Sequence, residues 1–396
     1  MIYKRVFIIV ADSLGIGALD DAAQYDDLGA NTFKHLSYAK DDFSIPTLAK
    51  LGVGNLTDIN NTPPIERPLA SYGRMKEISV GKDTLTGHWE LMGLQVQRNF
   101  PVFTATGFPP DLMAKLEAES GYQFIGNCAA SGTEIIKELG EEHMRTGKLI
   151  IYTSTDSVLQ IAAHEEVTGL DELYRICGIA RRITLNEPAW TVGRIIARPF
   201  VGADRTSFVR TPNRHDYALK PFEKTALDFL KAHGYDVIAV GKINDIFAGE
   251  GITRAIKTKS NAHGMEEIMK LAAETFTGVA FANLVDFDAV FGHRRNAIGY
   301  AQAVEEFDRA LAALLPLIRD DDLLIICADH GNDPIHHGTD HTREYVPLLV
   351  YNPLAKGINL GTRETFADVG ATISENFNVE MPVIGRSFLG KIHAAR

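Results

Sequence analysis

Cysteine is scarce in this chain: Cys128, Cys177 and Cys327 are the only three in 396 residues. An odd number of distant thiols excludes a disulfide framework and implies a reducing compartment, here the cytoplasm. Long apolar runs are lacking too. No stretch approaches the roughly 20 residues that a membrane helix needs, so no membrane partner is expected. The opening MIYKRVFIIVADS holds a short apolar run without a small-residue cleavage site, and an acid follows at once. It is expected to be a first strand and not a signal peptide. Basic blocks and Arg/aromatic stripes are absent, and net charge is −11. That excludes nucleic acid as a partner, because its phosphates require a positive surface. Repeats and low-complexity tracts are also missing, and nothing specifies an oligomeric state.

What is present is a chain too long for one ordinary core, so two domains are expected. Residues 6–11 (VFIIVA) are apolar on both faces, as in a central parallel strand, and end in Asp12-Ser13. Helix starts are read at 31–35 and 46–51. Near 101 the character changes. A block from 101 to 217 has its own helices at 112–119 and around 173–183, and its own strands at 148–152 and 191–197. Another helix opens at Ser131 and is expected to stop before Gly140. From Pro221 the alternation resumes: helix 222–232, strand 235–240, helix 265–275, strand 279–285, a long helix with Val304, Phe307, Leu311, Leu314 and Ile318 on one face, then strands from 323 and at 346–351. Strands alternating with helices predict an α/β fold with a mostly parallel, doubly wound sheet between helices. The expected organisation is a core from 1–100 and 218–396, with 101–217 inserted as a second α/β domain.

Three of the apolar strands run into acids: Asp12, Asp288 and Asp329. In an open parallel sheet such ends share the carboxyl edge, where ligands bind. His293 follows Asp288 by five residues, His330 adjoins Asp329, and His341 lies eleven further on. At ~4 Å and an effective dielectric near 20, each carboxylate pair costs on the order of 4 kcal/mol. Cations remove that cost, and the ligand set is about what two divalent ions need. Mixed oxygen and nitrogen donors suit Mn²⁺ or Zn²⁺ better than Mg²⁺ or Ca²⁺. Asp286 competes with Asp288 almost evenly, while His336 and His337 are set aside as loop residues. Two metals suit in-line displacement at phosphorus, which requires a nucleophile. In Gly81-Lys82-Asp83-Thr84-Leu85-Thr86-Gly87-His88-Trp89-Glu90, Thr84 is the first choice and Thr86 the second.

These segments, with Val10-Ala11-Asp12-Ser13, Asp286-Phe287-Asp288 to Arg295, and Ala328 to Tyr345, resemble the alkaline phosphatase superfamily. More narrowly, the chain resembles the bacterial, metal-dependent phosphopentomutase family. That likeness extends through Tyr152-Thr153-Ser154-Thr155-Asp156-Ser157-Val158-Leu159-Gln160 and Arg210-Thr211-Pro212-Asn213-Arg214-His215-Asp216-Tyr217. The resemblance implies an alkaline-phosphatase-like core, a mobile inserted cap and two Mn²⁺. One ion would be held by Asp288, His293 and His341, and the other by Asp12, Asp329 and His330 with the Thr84 oxygen nearby. It implies a phosphorylated Thr84, primed by a sugar bisphosphate, and small sugar phosphates as the molecules bound. Ser154, Asp156, Val158, Arg194, Arg210 and Lys242 match positions lining the sugar-phosphate site. Arg forks would grip the phosphate that does not react.

The expected activity is interconversion of ribose 1-phosphate, and deoxyribose 1-phosphate, with the 5-phosphate. Rival readings are a metal-dependent phosphatase or sulfatase on the same core, and a cofactor-independent phosphoglycerate mutase, which would carry Ser where Thr84 stands. A third is a non-catalytic metal-binding module.

Overall fold

A computed structural model describes residues 1–154 and 157–396. The chain divides into two compact units, one formed by Met1–Arg98 with Pro221–Arg396 and the other by Asn99–Lys220. In chain order the strands are β1 (Arg5–Ala11) and β2 (Ser71–Met75) in the first unit. The second unit supplies β3 (Phe124–Ala129), β4 (Leu149–Thr153), β5 (Val158–His164), β6 (Arg194–Val201), β7 (Val209–Arg210) and β8 (His215–Ala218). The first unit resumes with β9 (Asp236–Val240), β10 (Arg254–Ile256), β11 (Gly278–Leu284), β12 (Asp322–Cys327), β13 (Val346–Tyr351) and β14 (Asn359–Arg363).

The first unit is built on an eight-stranded sheet in the order β10-β9-β11-β1-β12-β13-β2-β14. The run from β10 to β12 is parallel, β13 is antiparallel to both neighbours, and β14 pairs parallel with β2. β1 and β11 are buried along their whole length, and so is β12. That is why they read as unbroken apolar runs, each face being covered. The order β11-β1-β12 sets three carboxyl ends side by side, and this places the site.

Two expectations for this unit shift. The helix read from 222 begins at Ala226, where Thr225 and Asp228 form a reciprocal capping box. Asp288 does not sit at a strand end. It lies in a π-helical turn, Phe287–Gly292, whose i→i+5 pattern has the His293 N–H donating to the Asp288 carbonyl at 3.0 Å. That widened turn stacks the two side chains on one side, which explains a spacing of five.

The second unit has the sheet order β3-β4-β5-β6-β7, with β8 also on β6. One face packs on helices Pro110–Ser120 and Leu170–Leu185 through Leu112, Leu116, Leu173, Ile176 and Ala180. The other carries Ile150, Ala162 and Phe200 beneath Ile135 and Ile136 of helix Gly132–Thr146. That helix does not stop before Gly140. It runs on to Gly147 at φ +72, and a Cβ at Gly140 would come within 2.5 Å of the Phe208 ring. Gly140 is thus a packing residue and Gly147 the left-handed cap. The strand expected at 191–197 spans Arg194–Val201. Among the described residues, no helix is long and apolar enough to cross a membrane.

Candidate metal centre

Six of the expected residues gather into two clusters, Asp288/His293/His341 and Asp12/Asp329/His330. In the first, His293 Nε2 is 3.2 Å from Asp288 Oδ2, His341 Nε2 is 3.4 Å from Asp288 Oδ1, and the two imidazole nitrogens are 3.1 Å apart. In the second, His330 Nε2 is 3.5 Å from Asp12 Oδ1 and 3.3 Å from Asp329 Oδ2. The His330 and His341 rings lie 4.0 Å apart between centroids, so the clusters adjoin.

Outer hydrogen bonds aim the donors inward. The Thr339 carbonyl takes the His293 Nδ1–H at 2.9 Å, and the Gly331 carbonyl takes that of His330 at 3.0 Å. Each leaves an Nε2 lone pair facing the cluster, as metal-ligating histidines require. Asn332 donates to Asp288 Oδ1 at 2.7 Å, and Arg295 in turn donates to Asn332 Oδ1 at 2.7 Å. The Ser13 N–H donates to Asp329 Oδ1 at 3.0 Å from a backbone held at φ 68.

Whether these residues fit cations is answered by two atoms. Asp12 Oδ1 is buried without a hydrogen-bond partner, and Asp329 Oδ2, equally buried, has only the His88 and His330 rings beside it, at 3.1 and 3.3 Å. Such atoms are costly unless something positive faces them. Electrostatics agree. Burial pushes the Asp12 carboxyl well above its ordinary value, with the neighbouring Asp329 and Asp288 charges adding to it. For Asp329, burial is outweighed by His330 and His88, and the carboxyl falls to about 2. A cation facing the group would offset the cost of holding these carboxylates charged. The donors fit two divalent ions.

Thr84 opens the helix Thr84–Leu91, and its hydroxyl lies 3.2 Å from His330 Nε2. Asp83 caps that helix, accepting from the Thr86 N–H at 3.1 Å and the Thr86 hydroxyl at 2.7 Å. Thr86 is thereby buried and engaged, which separates the two threonines. Lys82 is engaged as well, at 2.9 Å from Asp27 Oδ2. Arg343, buried, donates to the Gly81 carbonyl and to Glu77 Oε2, both at 2.7 Å, and so holds the loop before Thr84. Asp286 is no part of either cluster. Its Oδ2 accepts from the Asn261 N–H at 2.8 Å, at the start of helix Asn261–Ala273.

The expected sugar-phosphate residues are distributed. Ser154, Val158 and Arg194 line a hollow of about 230 Å³ in the second unit, with Gln160, Ile196, Arg198 and Arg214. Arg210 lines a larger hollow of about 760 Å³ that also includes Arg198 and Arg214. Arg214 forks onto Asp216 with two contacts of 2.6 Å. Asp156 lies outside the described residues. Lys242 follows β9 in the first unit, and its charge acts on the Asp12 carboxyl. Sequence reading missed Asn283, His88, Asn332, Arg198 and Arg214. For Asn283 a signal existed: it is an amide inside the otherwise apolar GVAFANL of β11.

The Metalloenzyme superfamily matches the chain over residues 4–381. Among solved structures, a phosphoglycerate mutase of Leishmania mexicana at low cobalt concentration is similar over 97% of this chain and 97% of its own, at 14% identity and a TM-score of 0.50. The PH0037 protein of Pyrococcus horikoshii is similar over 96% of this chain and 98% of its own, at 12% identity and a TM-score of 0.49. At 14% identity the likeness to the phosphoglycerate mutase is one of fold.

Proposed function

The chain belongs to the Metalloenzyme superfamily, and on that footing we propose that it is a phosphopentomutase. It would interconvert ribose 1-phosphate, and deoxyribose 1-phosphate, with the 5-phosphate in nucleoside breakdown and salvage in the cytoplasm. The observation that carries this reading is the Thr84 hydroxyl, 3.2 Å from His330 Nε2 and beside two Asp/His clusters.

Asp288, His293 and His341 would hold one ion and Asp12, Asp329 and His330 the other; the mixed donors favour Mn²⁺ or Zn²⁺ over Mg²⁺, and the resemblance to phosphopentomutases selects Mn²⁺. Bound there, the two cations supply acidification of a hydroxyl and neutralisation of phosphoryl charge. The rest is the work of the chain. Thr84 carries the phosphoryl group after priming by a sugar bisphosphate. It gives that group to the free hydroxyl of a ribose monophosphate, forming the 1,5-bisphosphate, and takes back the phosphoryl from the other end. The first intrahelical bond runs from the Gly87 N–H to the Asp83 carbonyl at 3.0 Å and the Thr86 N–H is taken by the Asp83 side chain, so the Thr84 and Leu85 N–H groups are the ones that would meet phosphoryl oxygens. Arg194, Arg210 and Lys242, with Ser154, Asp156 and Val158, would recognise the sugar and its non-reacting phosphate.

The test is incubation with ribose 1-phosphate and Mn²⁺, following ribose 5-phosphate and free phosphate together, then mapping phosphothreonine. Isomerisation with little free phosphate and a phosphate on Thr84 supports the reading. Phosphate release without isomerisation makes the protein a phosphatase, and turnover of 3-phosphoglycerate instead makes it a phosphoglycerate mutase.

A further inference from the structure

Asn283 and His88 have no role in the sequence motifs, yet they join the Thr84 helix to one metal cluster. Asn283 lies on β11, in register with Val10 of β1 and so beside the end of the strand that delivers Asp12. Its Nδ2 donates one hydrogen to Asp12 Oδ2 at 2.9 Å and is 3.2 Å from His88 Nε2. His88 Nδ1 is 2.8 Å from the Thr84 carbonyl and 3.1 Å from Asp329 Oδ2, and both oxygens can only accept. The His88 proton therefore sits on Nδ1, and Nε2 is the acceptor for the second Asn283 hydrogen. The bonds run without a break from Asp12 through Asn283 and His88 to the backbone of Thr84.

Two details set this chain apart from ordinary core packing. Asn283 occupies one oxygen of Asp12 and leaves the other, Oδ1, facing the cluster without a partner. Asn283 Oδ1 is itself buried and unpartnered, whereas Asn332, which serves Asp288 in the same way, has its oxygen satisfied by Arg295. A residue kept only for packing would gain by losing that orphaned oxygen. His88, Asn283 and Asp12 are all buried.

We propose that Asn283 is a positioning residue that aims Asp12 at the cation beside Thr84, and that His88 ties this aim to the backbone of the nucleophile. Occupancy of that one metal position and placement of Thr84 are then a single linked arrangement, while the Asp288/His293/His341 position is aimed by other partners, Asn332 and the Thr339 carbonyl. The inference rests on the two-metal reading above.

The experiment is Mn²⁺ titration by calorimetry and electron paramagnetic resonance on the full chain. Wild-type protein should take two ions with a spin-coupled signal. Asn283→Leu should weaken one ion by about 10- to 100-fold, the usual effect of losing such a partner, keep the other, and show an isolated Mn²⁺ signal. His88→Gln should weaken the same ion less. In an Asn283→Leu/His341→Ala double variant no tight ion should remain. If Asn283→Leu does not fold, Asn283→Ser gives the same readout. Variants that keep both ions at wild-type affinity, or lose both equally, overturn the inference while leaving the proposed function standing. A wild-type protein that binds no Mn²⁺ overturns both.

Discussion

The hydroxyl of Thr84 and Nε2 of His330 are 3.2 Å apart, and His330 has already committed its Nδ1–H to the Gly331 carbonyl. The proposed nucleophile and a candidate metal ligand thus share one small volume, where an ion facing His330 would also face the hydroxyl. Thr84→Ala should lower phosphoryl transfer by at least about 10³-fold, as loss of a nucleophile does, and abolish labelling of the protein by a radiolabelled sugar bisphosphate. Thr84→Ser should keep part of both. A Thr84→Ala protein that still labels would move the nucleophile elsewhere.

The stretch from Asp329 to His341 serves both clusters, Asp329 and His330 in one and His341 in the other. His341→Ala should therefore reduce bound Mn²⁺ from about two ions per chain to about one, while Asp329→Ala should spare the ion at Asp288 and His293. Chelation of the wild type should lower its thermal midpoint. With free metal at 100 times its dissociation constant, each ion contributes about 2.7 kcal/mol. Metal analysis after dialysis, with calorimetric melts, reads both effects. Loss of both ions in His341→Ala would show that the clusters depend on each other.

Legibility followed the range over which each feature is encoded. The α/β core was readable because β1, β11 and β12 are buried on both faces and so are apolar throughout. The acids at or shortly beyond their ends stood out against that background. Of the six strands in the second unit only β4 and β6 were read: β3, partly buried or exposed throughout, carries no apolar run, and β7 is two residues long. The end of helix Gly132–Thr146 was misread because Gly140 looks like a stop, and only its contact with Phe208, 68 residues away in sequence, gives it another purpose. The π-helical turn at Asp288 has no periodicity of its own. Asn283 and His88 escaped notice since their meaning lies in partners that only the folded sheet brings close.

Gly87 shows how tightly the Thr84–Leu91 helix is seated. A Cβ there would lie 2.1 Å from the Asp329 carbonyl oxygen, a backbone atom that cannot step aside. Gly87→Ala should push the first turn off the end of β12, costing about 1–3 kcal/mol of stability and weakening the ion beside Thr84. Gly178, inside helix Leu170–Leu185 with open space around its Cα, is the contrast. Gly178→Ala should stabilise by up to about 1 kcal/mol. Urea unfolding of both variants with and without Mn²⁺ separates the effects, and equal stabilities would argue that the helix is not held at Gly87.

His143 makes the second unit sensitive to acid for a reason unconnected with metals. Its Nδ1–H donates to the Lys148 carbonyl at 2.6 Å, and its Nε2 accepts from the His164 N–H at 2.9 Å. Both nitrogens are satisfied only in the neutral ring, since a second proton would point at another N–H. Burial lowers the pKa, outweighing the Lys148 carbonyl, which favours the charged form. The folded value thus lies below the unfolded value of about 6.5, and the unfolded chain binds the proton more readily. Stability from this group is complete above about pH 6.5 and is lost as pH falls toward the folded pKa, with a limiting slope of about 1.4 kcal/mol per pH unit. In metal-free protein, hydrogen exchange at the amides of β4 and β5 should accelerate between pH 7.5 and 5.5, after correction for intrinsic rates. His143→Gln should flatten that dependence. Protection in β4 and β5 that does not change with pH would mean that His143 protonates without disturbing the strands it joins.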